Sequence, residues 1–377
     1  MIYCGNTISF LFNYAPHYRE KVYALIDKSL DCRFYFGDSV EGNIKKLDYD
    51  IFSKPAKELA VKRIKGSWCY YKNALSVLRD GADTYVLTGD MRNLSNWLIL
   101  LILKLFYPKK RGAIWTHGVY GKESKLQLFI KKVFYSLTDA VFCYGDRSKS
   151  LMIEAGIKAD KIFPIHNSLD YENQVTLRSI AEDRDFYRQH FGNNTPTLIF
   201  TGRLTKVKRL DMILDAMDLL RAKGEFYNLV IVGDGEQKSD LVAKVEKLGL
   251  SDRVWFYGAC YDEGILSKLI YNADLCVSPG NVGLTGVHSM TYGTPVVTHN
   301  RFELQMPEFE AIKKDYTGDF FAYNDVEDMA NVISRWFAAD RNRNGVRNAC
   351  YEEIDNYWTP NFQVDVIRTV LSKHCNA

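Results

Sequence analysis

The sequence predicts an α/β protein built of two parallel-sheet domains facing across a cleft, and three observations carry that prediction. Short apolar runs alternate with longer stretches of helical periodicity along most of the chain. Strands that alternate with helices of about 10–15 residues join through right-handed βαβ crossovers and make parallel sheets. The pattern stops at a polar, charge-rich segment from Asp170 to Thr195 and then restarts. At 377 residues the chain is also long enough for two domains of ordinary size. Composition narrows the class further. Hydrophobic residues at 47% and charged residues at 25% exclude wholesale disorder, and 25 Gly with 9 Pro exclude a collagenous or low-complexity chain. A net charge of +3 is too mild to mark a nucleic-acid binder. The 24 Tyr, 21 Phe and 6 Trp fit a large core better than sugar-stacking surfaces.

In the first half, Thr7–Asn13 reads as a buried strand, Arg19–Leu30 as a helix and Arg33–Gly37 as a strand. Thr84–Thr88 and Gly112–Thr116 are further strands around the Leu/Ile-rich helix Leu94–Phe106. Lys125–Leu137 is an amphipathic helix, Ala140–Tyr144 a strand, Arg147–Ala155 a helix and Lys161–His166 a closing strand. The Asp170–Thr195 segment, ending in Gly192-Asn193-Asn194-Thr195-Pro196, reads as a linker with one helix. The second half runs strand Thr197–Thr201, helix Leu210–Lys223, strand Asn228–Val232, helix Lys238–Lys247 and strand Val254–Tyr257. Helix Gly264–Asn272, strand Leu275–Ser278, helix Val287–Tyr292 and strand Pro295–His299 follow, then helices at Asp325–Phe337 and Pro360–Lys373. Ligands of such folds bind where the carboxyl ends of the strands open.

The eight cysteines (Cys4, Cys32, Cys69, Cys143, Cys260, Cys276, Cys350 and Cys375) form no Cys-x-x-Cys pair, and several lie in apolar runs. That pattern points to reduced, buried thiols in a cytoplasmic protein rather than a disulfide frame or a zinc site. Met1-Ile2-Tyr3 leads into a strand-like run with no basic leader, so no signal peptide is expected. The most lipid-like stretch, Trp97 to Phe106, is interrupted by Lys104 and falls short of the about 20 apolar residues a spanning helix needs.

Three segments carry chemistry. In Thr201-Gly202-Arg203-Leu204-Thr205-Lys206-Val207-Lys208-Arg209 a strand delivers a glycine turn and four basic residues at the expected start of a helix, a good site for a diphosphate, although a solvated basic turn is the commoner outcome of such charge. Val232-Gly233-Asp234-Gly235 ends a strand in a tight turn, and Lys238 stands where a dinucleotide fingerprint would need its third glycine. Ser278-Pro279-Gly280-Asn281-Val282-Gly283-Leu284-Thr285-Gly286-Val287-His288 brings three glycines to the start of a short helix, whose N–H groups would face an anion, with His288 one turn along. Each of these alone is equally readable as ordinary turn and cap structure.

Together the segments resemble the second domain of nucleotide-sugar glycosyltransferases of the GT-B fold, specifically the large family-4 retaining group. The matching pieces are Gly202-Arg203-Leu204 with Lys208, Val232-Gly233-Asp234-Gly235, Phe256-Tyr257-Gly258, Tyr271-Asn272-Ala273-Asp274 and Met290-x-x-Gly293-Thr294-Pro295-Val296-Val297, in the family's order over residues 197–300. The resemblance implies two Rossmann-like domains: an acceptor-side domain over 1–170, onto which the helix of 357–377 packs back, a linker over 171–195, and a donor domain over 196–356. It implies that Arg203 and Lys208, expected to be exposed, hold the donor diphosphate and stabilise its charge as the glycosidic bond breaks. Gly202, Gly233, Gly235 and Tyr257 would line the donor site with the loop Gly283, Leu284, Thr285 and Gly286. The family carries two glutamates eight positions apart, one on the donor sugar and one on the ribose, and here Gly280 and His288 occupy those places. His288 is therefore expected on the nucleotide or donor sugar as a hydrogen-bonding substitute. In the first domain His117, in Ile114-Trp115-Thr116-His117-Gly118, matches a histidine that the family often uses, and is expected beside the reacting sugar. The family's Gly-Gly loop after the first strand is replaced by Asn13-Tyr14-Ala15-Pro16-His17-Tyr18-Arg19.

The reading is a metal-independent glycosyltransferase that moves a hexosyl group from a nucleoside-diphosphate sugar, its co-substrate, to a glycan hydroxyl with retention, in surface polysaccharide biosynthesis. No further cofactor and no nucleic acid is expected. The acceptor is placed on a lipid carrier by analogy with the family's common roles. The Asp-x-Asp triplets at Asp48/Asp50 and Asp183/Asp185 occur at chance frequency and carry no metal argument. Basic residues beside apolar ones, at Leu98–Arg111 and Lys125–Phe134, suit either helices that cover a sheet, the favoured reading, or peripheral contact with the inner membrane face. The alternatives are a sugar-nucleotide epimerase, and a non-catalytic nucleotide-sugar binding subunit, which the changes at 280 and 288 favour and Arg203 with Lys208 oppose.

Overall fold

The computed structural model describes residues 6–39, 45–183 and 185–372, which leaves Cys4, Cys375 and the last residue of the expected Pro360–Lys373 helix outside the described residues. The chain divides into two compact units, Met1–Leu169 with Pro360–Ala377, and Asp170–Thr359.

In the first unit the strands are β1 (Ile8–Phe12), β2 (Cys32–Gly37), β3 (Lys57–Leu59), β4 (Val61–Arg63), β5 (Cys69–Tyr71), β6 (Thr84–Thr88), β7 (Arg111–Thr116), β8 (Ala140–Cys143) and β9 (Ile162–Pro164). Seven of them form one sheet in the order β3-β2-β1-β6-β7-β8-β9, and every pairing in it is parallel. The helices α1 (Glu20–Ser29), α2 (Leu94–Phe106), α3 (Lys125–Ser136) and α4 (Asp146–Glu154) fall on the expected stretches. Asn93 caps α2 by accepting from the Ser95 N–H, and Ser124 with Gln127 closes a capping box on α3, which satisfies N–H groups that a helix start leaves open. The aromatic wealth of the sequence is spent largely in this core. Phe34 packs 4.4 Å from Phe52, 5.1 Å from Phe10 and 5.8 Å from Phe36, centroid to centroid.

The second unit carries β10 (Thr197–Thr201), β11 (Asn228–Val232), β12 (Val254–Gly258), β13 (Leu275–Ser278), β14 (Val296–His299) and β15 (Gly318–Phe321) as an all-parallel sheet in the order β12-β11-β10-β13-β14-β15. Between and beside them lie α5 (Tyr171–Arg178), α6 (Phe186–Phe191), α7 (Asp211–Ala222), α8 (Lys238–Lys247), α9 (Glu263–Asn272), α10 (Leu284–Thr291), α11 (Val326–Ala338) and α12 (Arg343–Tyr357). The segment expected as a linker holds two helices inside this unit. Arg178 forks onto Asp355 at 2.7 and 3.0 Å and donates to the Thr291 carbonyl at 2.7 Å, and Tyr187 is buried with its hydroxyl on the Leu269 carbonyl. After α12 the chain returns to the first unit as α13 (Pro360–Ser372). Its Gln363 side chain donates to the His166 carbonyl at 2.8 Å and accepts from Ser168 at 2.6 Å, while Val364, Ile367, Val370 and Leu371 are buried.

β3, the β4–β5 hairpin, β15 and α12 have no counterpart in the sequence reading. The hairpin strands are three residues each and bury one residue at most, so they show no burial pattern, and α12 is rich in charged and polar residues around only a few buried ones.

Candidate functional site

Strand order reverses direction at β1/β6 in the first unit and at β10/β13 in the second, so at both places the connections leave on opposite sides and the strand ends open a crevice. In the second unit three segments converge on the carboxyl ends of β10 and β13. The Gly202 N–H donates to the Val232 carbonyl at 2.9 Å, and the Thr285 hydroxyl donates to the Thr201 carbonyl at 2.9 Å. The Gly280 N–H donates to the Lys208 carbonyl at 3.0 Å, and Lys208 Nζ returns a bond of 2.7 Å to the Asn281 carbonyl. A Cβ on Gly233 would stand 1.9 Å from the Gly202 oxygen, and one on Gly280 would stand 2.0 Å from the Val207 oxygen and 2.7 Å from the Lys208 Cα. Glycine is therefore required at 233 and 280 for backbone to touch backbone. Gly235 packs the same way against Leu204, whose N–H donates to the Asp234 carbonyl at 3.0 Å. These contacts bring Gly202, Gly233, Gly235, Lys208 and the 280–286 loop into one cluster.

Two expectations are corrected here. The basic residues do not open a helix: Lys206–Lys208 form a single 3-10 turn, Arg209 takes a left-handed conformation (φ 52°), and α7 begins only at Asp211, to which Arg209 Nε donates at 3.3 Å. Arg203 is exposed, as expected, but Lys208 is half-buried and its ammonium is already spent on the Asn281 carbonyl, with burial lowering its pKa. α10 starts at Leu284, within the glycine loop expected to open a short helix and three residues ahead of the periodic stretch Val287–Tyr292, because Gly283 (φ 50°) turns the chain at its N-cap. That leaves the first-turn N–H groups of Leu284 and Thr285 without intrahelical acceptors. The loop before it is braced by the buried Gln305, which accepts from the Val282 N–H at 2.8 Å and donates to Thr298 Oγ1 at 2.8 Å and the His299 carbonyl at 2.9 Å. The Thr285 hydroxyl donates its proton within this packing, to the Thr201 carbonyl.

His288 lies one turn into α10 with Nε2 2.7 Å from Glu263 Oε1. The same oxygen accepts from the Tyr292 hydroxyl at 2.6 Å and from Gln174 Nε2 at 3.1 Å. Burial by itself would raise the Glu263 pKa, but the bonds from His288, Tyr292 and Gln174 override it and hold the carboxyl at about 2. The position that lacks the family's glutamate thus has a carboxylate beside it, delivered from the first residue of α9. Glu263 gives little sign of this in the sequence, since an acid after the Asp262 cap, which accepts from the Ile265 N–H at 3.1 Å, reads as a normal helix start. Tyr257 is half-buried on β12 with its ring 5.2 Å from that of Trp255.

His117 is not part of that cluster. It follows β7 in the first unit and borders a cavity of about 750 Å³ at the β1/β6 crevice. Thr116 donates to the Gly89 carbonyl at 3.2 Å and accepts from the Gly118 N–H at 3.1 Å, and the Ser148 hydroxyl donates to the His117 carbonyl at 2.9 Å, which fixes the turn that aims the imidazole. The ring packs 4.7 Å from Tyr144, and Nδ1 is buried with no hydrogen-bond partner among the described residues. Burial, then the charges of Arg19 and Lys131, lower its pKa to about 4, so the imidazole is neutral at physiological pH. Among the described residues no group of three or more His, Cys, Asp or Glu could hold a metal ion, no helix is long and apolar enough to cross a membrane, and the six cysteines form no disulfide.

Residues 182–353 match the family described as glycosyl transferases group 1. Among curated proteins, the chain is 23% identical over 244 residues to an uncharacterized 41.2 kDa protein in the cps region of Klebsiella pneumoniae, covering 62% of this chain and 64% of that one. It is 21% identical over 267 residues to the amylovoran biosynthesis glycosyltransferase AmsD of Erwinia amylovora, covering 68% and 69%. The match thus spans slightly less than two thirds of the Klebsiella relative. Among solved structures it is similar to Anabaena Alr3699/HepE in complex with UDP, with a TM-score of 0.73 at 18% identity over 97% of this chain and 100% of that one. The fold is therefore GT-B, and the match to the glycosyl transferases group 1 family lies over residues 182–353.

Proposed function

We propose that the chain is a retaining, metal-independent glycosyltransferase that moves a hexosyl group from a nucleoside-diphosphate sugar to a glycan hydroxyl in surface polysaccharide synthesis. The observation that carries this reading is the backbone junction between the Gly202–Arg209 loop and the Gly280–Gly286 loop, which sets Lys208, Arg203 and the first N–H groups of α10 at one crevice. In this reading Arg203 and Lys208 neutralise the diphosphate, Lys208 exchanging the Asn281 carbonyl for a phosphate oxygen, and their charge counts most when the leaving diphosphate gains charge. Glu263, held ionised against His288, accepts from hydroxyls of the nucleotide, the task the family gives to a glutamate at the position of His288. His117 stands beside the transferred sugar as a neutral hydrogen-bonding group. The relatives named for a cps region and for amylovoran biosynthesis support the polysaccharide assignment.

The test is calorimetric titration with UDP, GDP, ADP, CMP and dTDP in the presence of a chelator, followed by a transfer assay with the sugar conjugate of whichever binds. Binding of one nucleotide that weakens in Arg203→Ala supports a donor site. Binding across none of them removes the transferase reading.

Peripheral membrane contact belongs to the same proposal. Leu94, Leu98, Leu101 and Leu105 form an exposed stripe on α2, and Leu126, Phe129 and Val133 one on α3, whose neighbourhood is fixed by Trp97 packing 4.8 Å from Phe134. Lys104, Lys109, Lys125 and Lys132 are exposed on or beside these stripes, a combination suited to anionic headgroups. Co-sedimentation with phosphatidylglycerol vesicles, lost in Leu126→Asp with Phe129→Asp, is the expected result; no sedimentation of the wild type returns the two helices to plain sheet cover.

A further inference from the structure

The first-unit cavity contains a charge that recognition of sugar hydroxyls does not require. Arg19 stands at the end of the one-turn helix before α1, its guanidinium 5.3 Å from the Trp115 ring centroid and 5.1 Å from that of Tyr144, with Nη2 donating to the Tyr144 hydroxyl. No carboxylate pairs with it among the described residues. The two acids of the cavity wall are committed elsewhere. Asp90 accepts from Arg92 at 2.9 and 3.0 Å, and Glu123 accepts from Lys131 at 2.6 Å and from the Tyr120 and Gly121 N–H groups.

A guanidinium has five N–H donors in a planar fork shaped for an oxyanion, and among the described residues only one is bonded, to a phenol. The flanking rings shield the charge from water without neutralising it. His117, neutral and with a buried, unpartnered Nδ1, faces the same cavity, and the exposed Lys122 adds a cation at its edge, 5.1 Å from the Tyr120 ring centroid. We propose that this cavity binds an oxyanion carried by the acceptor glycan, a uronate carboxylate or a sugar phosphate, with Arg19 as its charge partner and Trp115 and Tyr144 holding the guanidinium in place. The inference rests on the reading that the first unit takes the acceptor, and it makes that acceptor an acidic saccharide.

The experiment is calorimetry on the full chain with D-glucuronate, D-glucose 1-phosphate and D-glucose, with the donor-panel nucleotides titrated separately. One of the two anions should bind at least about tenfold tighter than glucose, the scale of a single good ionic contact. Glucuronate ahead of the phosphate assigns a uronate, and the reverse order assigns a phosphate. Arg19→Gln should erase the preference and leave nucleotide binding unchanged, whereas Arg203→Ala, at an exposed position in the other unit, should keep it. The proposal is overturned if glucose binds as tightly as both anions, if none of the three binds up to about 20 mM, or if the preference is lost in Arg203→Ala, which would put the anion on the donor loop. That last outcome remains decisive even if Arg19→Gln does not fold. Nucleotide binding without anion preference sinks this inference alone; failure of nucleotide binding sinks the transferase reading instead.

Discussion

Restoring a side chain at Gly280 should damage the protein rather than improve it. The family resemblance places a glutamate there, so Gly280→Glu looks like a repair. In the structure a Cβ at this position would lie 2.0 Å from the Val207 carbonyl oxygen, 2.7 Å from the Lys208 Cα and 2.9 Å from the Val207 carbonyl carbon. An ordinary contact needs roughly 3.4 Å, so the Val207–Lys208 backbone has to retreat by more than about 1 Å. The retreat breaks the 3.0 Å bond from the Gly280 N–H to the Lys208 carbonyl and draws Lys208 Nζ off Asn281. Overpacking costs about 1–3 kcal/mol and a lost hydrogen bond about 1 kcal/mol more. The 3-10 turn can move more readily than the buried end of β13, so about 3 kcal/mol is expected for Gly280→Ala and at least as much for Gly280→Glu. For a domain of this size that corresponds to a fall in Tm of about 6–12 °C in a calorimetric scan. Because Lys208 moves with the turn, affinity for the nucleotide should drop about tenfold or more in titrations run below the transition. A Gly280→Ala variant with Tm within about 1 °C of wild type and undiminished nucleotide affinity would refute the reasoning.

The other predictions are simpler to state. Arg203→Ala should leave stability within about 0.5 kcal/mol, since the side chain is exposed, whereas Lys208→Ala should cost about 1–2 kcal/mol through its bond to Asn281, and the double variant should have no measurable turnover while remaining folded; normal turnover would remove both from the diphosphate. The Glu263 carboxyl falls from its ordinary 4.5 to about 2 on folding, so its stabilisation is whole above pH 4.5 and drains as pH falls toward 2; urea midpoints from pH 6 to 3.5 should fall more steeply for wild type than for Glu263→Gln, the full effect being at most about 3 kcal/mol. His117 falls from 6.5 to about 4, so the unfolded chain binds its proton first and the His117 contribution to stability is lost as pH drops from 6.5 to 4. Turnover should accordingly show no His117 step between pH 6 and 8, and a step near 6.5 that vanishes in His117→Gln would contradict the buried neutral ring. His117→Ala should lower transfer more than nucleotide binding, and equal losses in the two assays would argue against its place beside the reacting sugar.

Much of the architecture was legible because parallel strands buried on both faces write themselves as unbroken apolar runs. The strands Thr197–Thr201, Asn228–Val232 and Leu275–Ser278 are bounded in the structure where the pattern bounds them, and so, by their helical period, are the helices Leu94–Phe106 and Lys238–Lys247. The Asp170–Thr195 segment reads as connecting chain because its helices are anchored by polar bonds, Arg178 to Asp355 and Asn272 to the Ala181 carbonyl, which leave no apolar period to read. The site divides in the same way. Gly202, Lys208 and the Gly283–Gly286 loop stand out in the sequence because glycine and positive charge just after an apolar run mark a turn at the carboxyl end of a strand. The partners that decide their state could not: Glu263 beside His288, Gln305 under Val282 and Arg19 against Tyr144 are joined across 25, 23 and 125 positions of chain.

Sequence by itself determined the two parallel sheets, their strand and helix order, and which turns carry glycine and positive charge, since these follow from periodicity and local backbone preference. Tertiary structure alone decided that Lys208 is tied down, that Gly280 has no room for a side chain, that a carboxylate stands beside His288 from another helix, and that Arg19 is walled by rings with no carboxylate partner among the described residues. The physical reason is range. Strand and helix are selected by neighbours a few residues away, whereas burial, hydrogen-bond partners and pKa belong to whatever the folded chain brings within a few ångströms.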